Sequence, residues 1–221
     1  MPRRRPRRPQ ASEQGGDLQG SWRGVHGFFT GARQNTRVNN YLRPLCVLVL
    51  ATTLPGAAQA ATYRAADGTA TFNYRVTVVP VPGTMTGVTA NVTLDPQDLA
   101  ATRGTVTVPV STLKTGIALR DNHAKGAGAL GTAQFPNATF ELTALTGGKL
   151  TEGQTVATTA TGRLTVKGTT KTITAPIKAT LTGGKVNVST QFKFNPYDFN
   201  VRYQGGADTV TVDVTFVLST N

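Results

Sequence analysis

Hydrophobic and polar residues alternate with a period of two along most of the chain from about Phe72 to its end. The clearest stretch runs from Val210 to Leu218, in which every even position is valine, phenylalanine or leucine and the odd positions are mostly polar. Successive side chains of a β-strand point to opposite faces, so this pattern predicts strands with one buried and one solvated face.

The same alternation recurs in about eight segments, and short turn sequences such as Gly183-Gly184 separate neighbouring ones. Two-residue glycine turns favour hairpins, and hairpins pair their strands antiparallel. A sheet of this many strands tends to close, and an eight-stranded barrel has room inside for one small ligand. We therefore predict an all-β fold, an eight-stranded antiparallel barrel. Its predicted strands span residues 69–79, 84–94, 103–110, 137–146, 154–166, 171–182, 184–195 and 207–219.

The alternation also predicts which side chains face inward. It places Val78 inward at the end of the first strand and Ala144 inward on the fourth. Small inward residues such as Ala160 and Gly162 favour a hollow interior over a solid one. After Asp95-Pro96 we expect one helical turn over Gln97–Ala101.

Residues 111–136 depart from the alternation. We predict a short helix around Ile117–Lys125, followed by a flexible loop that ends at Phe135-Pro136. Connections this long inside a small domain usually serve function, so we expect a lid across the open end of the barrel, between strands three and four.

The first 60 residues are strongly basic, with nine arginines, no lysine and two acidic residues. The arginine cluster within residues 3–8 fits an arm for nucleic acid or an unstructured leader. We favour the leader because the prolines and small residues around it cannot form a packed core, and we expect no nucleic-acid partner.

Residues 43–60 have the order of a secretory signal: a basic residue, an apolar run from Leu45 to Leu54, and Ala58-Gln59-Ala60. The apolar run is shorter than the roughly 20 residues of a stable membrane span. We predict cleavage after Ala60, a mature domain of residues 61–221, and a periplasmic or secreted location. The one cysteine, Cys46, lies in the leader, so the mature chain has no disulfide.

Polar residues concentrate in Arg120-Asp121-Asn122-His123, inside the predicted lid. One interpretation is a polar cluster at the mouth that meets a ligand head group, since arginine offers a planar fork to phosphate. The other is local structure, in which Asp121 caps or pairs and orients Arg120. His123 is the only histidine after the leader, which excludes a multi-histidine metal site. We find no nucleophile elbow, phosphate loop or paired carboxylates, and we expect neither catalysis nor a cofactor.

Aromatic residues cluster near the last hairpin, where Phe192, Phe194, Tyr197 and Phe199 lie close in sequence. Such clusters are typical of a core. In a hollow barrel the same side chains would also line the cavity.

Two blocks of residues resemble the YceI-like family. The first is Thr115-Gly116, then Arg120-Asp121 and His123, with Pro136 sixteen residues after Arg120 and Phe140 four residues after Pro136. The second block is residues 162–171, Gly-Arg-Leu-Thr-Val-Lys-Gly-Thr-Thr-Lys. Departures are the small Ala124 and the Ala129-Leu130 pair, where the family has bulkier residues, and Asn200, where it usually has glycine.

The resemblance implies a lipocalin-like barrel that binds polyisoprenoid lipids. We therefore expect an exported protein that sequesters or carries an elongated apolar ligand, most simply an isoprenoid. Alternatives left open are a structural or stress-related envelope protein with a solid barrel, and an enzyme acting on a bound isoprenoid. No stable membrane span is expected, and a homodimer is left open. The expected ligand-binding residues are Arg120, Asp121, His123, Phe135, Phe140, Leu164, Phe192, Phe194 and Phe199.

Overall fold

The computed structural model describes residues 59–220, and these form a closed barrel of eight strands. Each strand pairs antiparallel with the next one in sequence, and the last pairs with the first. One short helix lies between the third and fourth strands. The predicted fold class is therefore confirmed. The elements are β1 (Ala61–Val76), β2 (Val79–Asp95), β3 (Asp98–Val108), α1 (Ala118–Lys125), β4 (Ala138–Leu145), β5 (Thr155–Val166), β6 (Thr169–Thr182), β7 (Lys185–Phe194) and β8 (Gly206–Thr220), with 3-10 turns at Val110–Thr112 and Pro196–Phe199.

The connections alternate between the two ends of the barrel because consecutive strands run in opposite directions. We call the end that carries α1 the mouth and the opposite end the base. The connections at the mouth are residues 77–78, 109–137, 167–168 and 195–205. The connections at the base are residues 96–97, 146–154 and 183–184.

Two of these connections are tight hairpin turns in which both central residues have a positive φ. They are Lys167-Gly168, with φ values of 49° and 73°, and Gly183-Gly184, with values of 57° and 74°. This geometry matches the twist of the flanking strands and places them in register. Lys167 adopts a conformation that favours glycine, and its side chain contacts two neighbouring loops, as described below.

β1 begins at Ala61, eight residues earlier than predicted, because a bulge changes the phase of its alternation. Tyr63 and Ala65 are buried at odd positions, whereas Gly68 and Ala70 are buried at even positions. The register shifts between Ala65 and Gly68. An extra residue in a strand moves all following side chains to the other face, so a single period does not describe β1.

The predicted helical turn over Gln97–Ala101 is wrong, because β3 already begins at Asp98. Two aspartate side chains shape the turn that precedes it. The Asp95 carboxylate accepts a hydrogen bond from the Gln97 amide at 2.8 Å, and the Asp98 carboxylate accepts one from the Ala100 amide at 3.0 Å. Aspartate commonly binds its own backbone two residues on, and this stabilises a turn without a helix.

Two side chains predicted to face inward do not. Val78 lies in the β1–β2 turn and is 81% exposed. Ala144 is exposed because a register shift separates Leu142 from Ala144, and Leu145 faces the interior in its place. The other inward positions alternate as predicted, so the core follows the inner wall of the barrel.

The leader prediction falls almost entirely on residues 1–58, outside the described residues. Within residues 59–220, no helix has both the length and the apolar character needed to cross a membrane.

Candidate ligand-binding site

The barrel encloses a cavity of about 310 Å³ that side chains from all eight strands line. The cavity runs along the barrel, from Val76 and Arg120 at the mouth to Leu94 and Leu150 towards the base. Its volume lies at the lower end of the range of roughly 300–1,000 Å³ found for small-molecule sites. Its lining is almost wholly aliphatic or aromatic, so the shape and chemistry suit a narrow apolar ligand.

Arg120 is the one charged side chain of the cavity lining. Its Nε donates to the Thr115 hydroxyl at 2.9 Å, and its Nη2 donates to the Thr115 carbonyl at 2.7 Å. These two bonds fix the plane of the guanidinium. In the described part of the chain no hydrogen-bond partner is found for Nη1, so its two N–H groups and the second N–H of Nη2 remain unpaired there.

Asp121 binds the same threonine from the other side. Its carboxylate accepts hydrogen bonds from the Thr115 amide at 2.7 Å and from the Thr115 hydroxyl. Thr115 therefore donates its hydroxyl proton to Asp121 and accepts from Arg120 with the same oxygen. The expectation that Asp121 orients Arg120 stays a prediction, and the route the contacts offer for it passes through Thr115.

The hydroxyl of Thr115 holds the pKa of the Asp121 carboxyl below its ordinary value of 3.8. Desolvation acts in the opposite direction, and the Thr115 amide, Lys125 and Arg120 add to the lowering. A hydrogen bond to the charged form favours that form. Asp121 is therefore ionised across the physiological pH range, which keeps the Thr115 contacts in place.

His123 is exposed and lies outside the cavity lining, although it is only three residues from Arg120. The helical neighbours Arg120 and Ala124, four residues apart, face the cavity instead. The sequence groups Arg120, Asp121 and His123, but the structure brings together only Arg120 and Asp121, through Thr115.

Four of the predicted aromatic and aliphatic residues line the cavity: Phe140, Leu164, Phe192 and Phe194. Phe192 and Phe194 are stacked, with ring centroids 6.0 Å apart. Phe199 is 1% exposed and packs edge-on against Phe194, with centroids 5.2 Å apart. Phe199 therefore supports the wall through Phe194 and is not itself a lining residue.

Phe135 also lies outside the cavity lining. Its ring packs against Gly168 in the β5–β6 turn and near Gly131 in the lid, so close to Gly168 that an added Cβ there would come within 2.9 Å. Lys167, in the same turn, donates from Nζ to the Gly128 carbonyl at 3.3 Å and to the Asn200 carbonyl at 3.0 Å. This turn therefore joins the lid to the β7–β8 loop.

Two of the polar residues that line the cavity have surroundings that the sequence does not reveal. Tyr74, near the mouth, donates from its hydroxyl to the Ala207 carbonyl at 3.0 Å. Burial, with a smaller contribution from Tyr197, raises the pKa of Tyr74 to about 12. Alternation predicts that Tyr74 faces inward, but it does not reveal this contact with β8.

Thr102 is the second such residue and lies towards the base of the cavity. It is 4% exposed, and its hydroxyl has no hydrogen-bond partner among the described residues. The hydroxyl of Thr158, another lining residue, donates to the Thr146 carbonyl. The sequence does not show whether the hydroxyl of a buried threonine in a strand has a hydrogen-bond partner, as in Thr158, or has none, as in Thr102.

In residues 59–220 no group of three or more histidine, cysteine, aspartate or glutamate side chains is placed to hold a metal ion.

Solved structures with the same fold come from several bacteria. BcnA of Burkholderia cenocepacia is 22% identical, with a TM-score of 0.60 over 68% of this chain and 95% of that chain. A polyisoprenoid binding domain from Saccharophagus degradans, described as implicated in plant cell wall breakdown, is 14% identical, with a TM-score of 0.61 over 74% of this chain and all of that one. At these identities the likeness concerns the fold alone.

Sequence comparison gives a closer assignment. Protein YceI from Escherichia coli and Protein YceI from Shigella sonnei are each 29% identical over 138 residues, which cover 60% of this chain and 69% of the relative. The family model described as the YceI-like domain matches residues 62–219, nearly the whole barrel. This chain therefore belongs to the YceI-like domain family.

Proposed function

We propose that this protein is an exported binding protein that sequesters or carries an elongated apolar ligand, an isoprenoid lipid, inside its barrel. The observation that carries the proposal is the cavity itself, which is apolar along its length and has one charged residue, Arg120, at the mouth. A ligand with a long hydrocarbon tail and a polar head matches this distribution.

The tail supplies most of the binding free energy. Each buried methylene contributes about 0.8 kcal/mol, so several isoprene units offset the cost of ordering a long chain. Phe140, Leu164, Phe192 and Phe194 provide the wall, and Phe199 supports it.

The polar head is assigned to Arg120, whose Nη1 donors suit a phosphate or a carbonyl oxygen. Asp121 acts through Thr115 to hold Arg120 in place. His123 belongs to the outer surface of the mouth, where it meets a head group that projects beyond the lid. Phe135 holds the lid against the β5–β6 turn.

The relative from Saccharophagus degradans supports this ligand class, because it is described as a polyisoprenoid binding domain. The signal-like order of residues 43–60 supports export to the periplasm or the medium, with cleavage after Ala60. N-terminal sequencing of the protein recovered from cells tests the cleavage, and an intact leader on the recovered protein would contradict it.

The two alternative functions have less support. A solid structural barrel leaves no room for a cavity of about 310 Å³. An enzyme using His123 as a base would need that side chain close to the bound lipid, whereas His123 lies outside the cavity lining. Conversion of a bound isoprenoid that stops in a His123→Ala variant would favour the enzyme.

Mass spectrometry of an organic extract tests the carrier. The full chain is expressed with export in a bacterial host, purified, and extracted before and after incubation with lipids of the native source. A stoichiometric isoprenoid supports the proposal. An empty extract after both treatments would contradict it and favour the structural protein.

A further inference from the structure

Exposed apolar side chains concentrate at the mouth of the barrel. Of the five large hydrophobic residues that are exposed in the described part of the chain, four belong to this end. Single exposed apolar residues are normal on protein surfaces, but a group at one end marks an interaction site. The four are Val78 (81% exposed), Leu119 (67%), Val79 (57%) and Ile117 (54%).

The four residues come from two segments that the backbone joins. Val78 and Val79 form the β1–β2 turn and the start of β2. Ile117 and Leu119 follow Lys114, whose amide and carbonyl both bond to Thr84 on β2, at 2.9 and 2.8 Å. This pairing is antiparallel, so the chain beyond Lys114 runs towards the start of β2. The apolar groups therefore share one side of the mouth.

These segments also border the opening of the cavity. Val76 and Val81, which flank the β1–β2 turn, line the cavity, and so does Arg120, which follows Leu119. The exposed apolar residues thus adjoin, along the chain, residues that line the cavity near its opening.

Charge differs between the two ends of the barrel. The connections at the mouth carry more basic than acidic residues, whereas those at the base are balanced, with Lys149 and Glu152. One of the two acidic residues of the mouth connections, Asp121, is engaged with Thr115. The charged residues of the mouth connections are Lys114, Arg120, Lys125, Lys167, Arg202, Asp121 and Asp198.

We propose that the mouth docks on the surface of an anionic lipid bilayer, with Val78, Val79, Ile117 and Leu119 inserted at the interface. Apolar side chains flanked by basic ones are the combination that holds proteins at such interfaces, and anionic head groups attract the basic residues. Docking would place the cavity opening against the membrane, so that cargo passes between bilayer and barrel without crossing water. This inference rests on the proposed carrier function and names the source of its cargo.

Vesicle co-sedimentation tests the docking without any cargo. The protein that is recovered after export, with the leader shown by N-terminal sequencing to be removed, is mixed with isoprenoid-free vesicles of phosphatidylcholine alone or of phosphatidylcholine with phosphatidylglycerol. We expect binding to the anionic vesicles that weakens as salt is added. A Val78→Ser/Leu119→Ser variant should bind them about tenfold or more weakly, since two inserted apolar side chains are lost.

Val217→Ser is the matched control. Val217 is 47% exposed on the outer face of β8, away from the mouth, so its replacement should leave vesicle binding unchanged. Equal vesicle binding by the double variant and the wild type would overturn the docking surface. A wild-type protein that does not bind anionic vesicles would overturn it as well. A double variant that changes oligomeric state in size-exclusion chromatography, with wild type that does not sediment, would assign the patch to a second copy of the chain and overturn the proposal.

Isoprenoid binding in detergent micelles separates this inference from the proposed function. If the wild type binds isoprenoid but not vesicles, the membrane docking is wrong and the carrier function stands. Wild type that binds vesicles but no isoprenoid would remove the carrier, and with it the cargo transfer, while the membrane contact itself would stand.

Discussion

The ring of Phe140 lies over Gly162 on the neighbouring strand and fills the space that a side chain there would need. A Cβ added to Gly162 would come within 2.7 Å of Phe140 Cε2 and closer still to the Glu141 carbonyl oxygen. Phe72 covers Gly83 in the same way on β1 and β2. These pairs let large rings lie flat along the inner wall, so they narrow the cavity without closing it.

Replacing Gly162 with alanine should lower the free energy of unfolding by about 1–3 kcal/mol, because the methyl group overpacks against backbone as well as a ring. Urea denaturation measures the change. Gly128→Ala is the control, since a Cβ at Gly128 meets nothing within 4 Å. Equal stability of the Gly162→Ala protein and the wild type would show that the Phe140 ring moves away freely.

Leu164→Arg should abolish isoprenoid uptake while the β-sheet circular dichroism stays near that of the wild type. Leu164 is 6% exposed and lines the cavity, so a charged side chain there would obstruct an apolar tail. Thr159→Arg, an exposed position on the same strand, is the matched control and should bind normally.

Should Leu164→Arg fail to fold, Ala160→Phe serves the same purpose. Ala160 lines the cavity, and the phenylalanine ring would fill the space that the ligand needs. Undiminished binding by either folded variant would place the ligand outside the barrel.

Thr102→Val should raise the free energy of unfolding by about 1 kcal/mol in the ligand-free protein. The buried hydroxyl of Thr102 has no partner among the described residues, and an isosteric methyl removes its desolvation cost. Thr158→Val should lower it by a similar amount, since this hydroxyl donates to the Thr146 carbonyl. Thermal unfolding of the two variants side by side gives the comparison, and a loss of stability in both would mean that Thr102 has a bound partner such as water.

The free energy of unfolding should fall as the pH rises from about 10 to about 12, because Tyr74 ionises less readily in the folded protein. Burial raises the pKa of Tyr74 to about 12 from an ordinary value of 10.0. The unfolded chain therefore loses this proton first, and stability decreases with pH across that interval. Denaturation at several alkaline pH values should show a shallower decrease for Tyr74→Phe, and an unchanged slope would contradict the assignment.

Alternation predicted the eight strands and most of the inner wall because burial of one face is a local property of each strand. It misplaced Ala144 and missed the first eight residues of β1, because bulges shift the phase without a distinctive residue. Alternation also does not predict which side of α1 faces the cavity. Arg120 faces the cavity and His123 does not because Thr115 anchors Arg120, and that contact depends on the path of the whole β3–β4 connection. The unpartnered hydroxyl of Thr102 depends on its neighbours across the barrel, which no local pattern records.

The two hydrogen bonds of the Lys167 ammonium group couple two loops at the mouth of the barrel. One side chain holds the lid at Gly128 and the β7–β8 loop at Asn200, and it projects from a turn whose backbone is fixed by its left-handed geometry. The two loops are thereby coupled, since a displacement of this turn alters both contacts at once. Widening of the mouth on this side therefore requires three segments to move together: the lid, the β5–β6 turn and the β7–β8 loop.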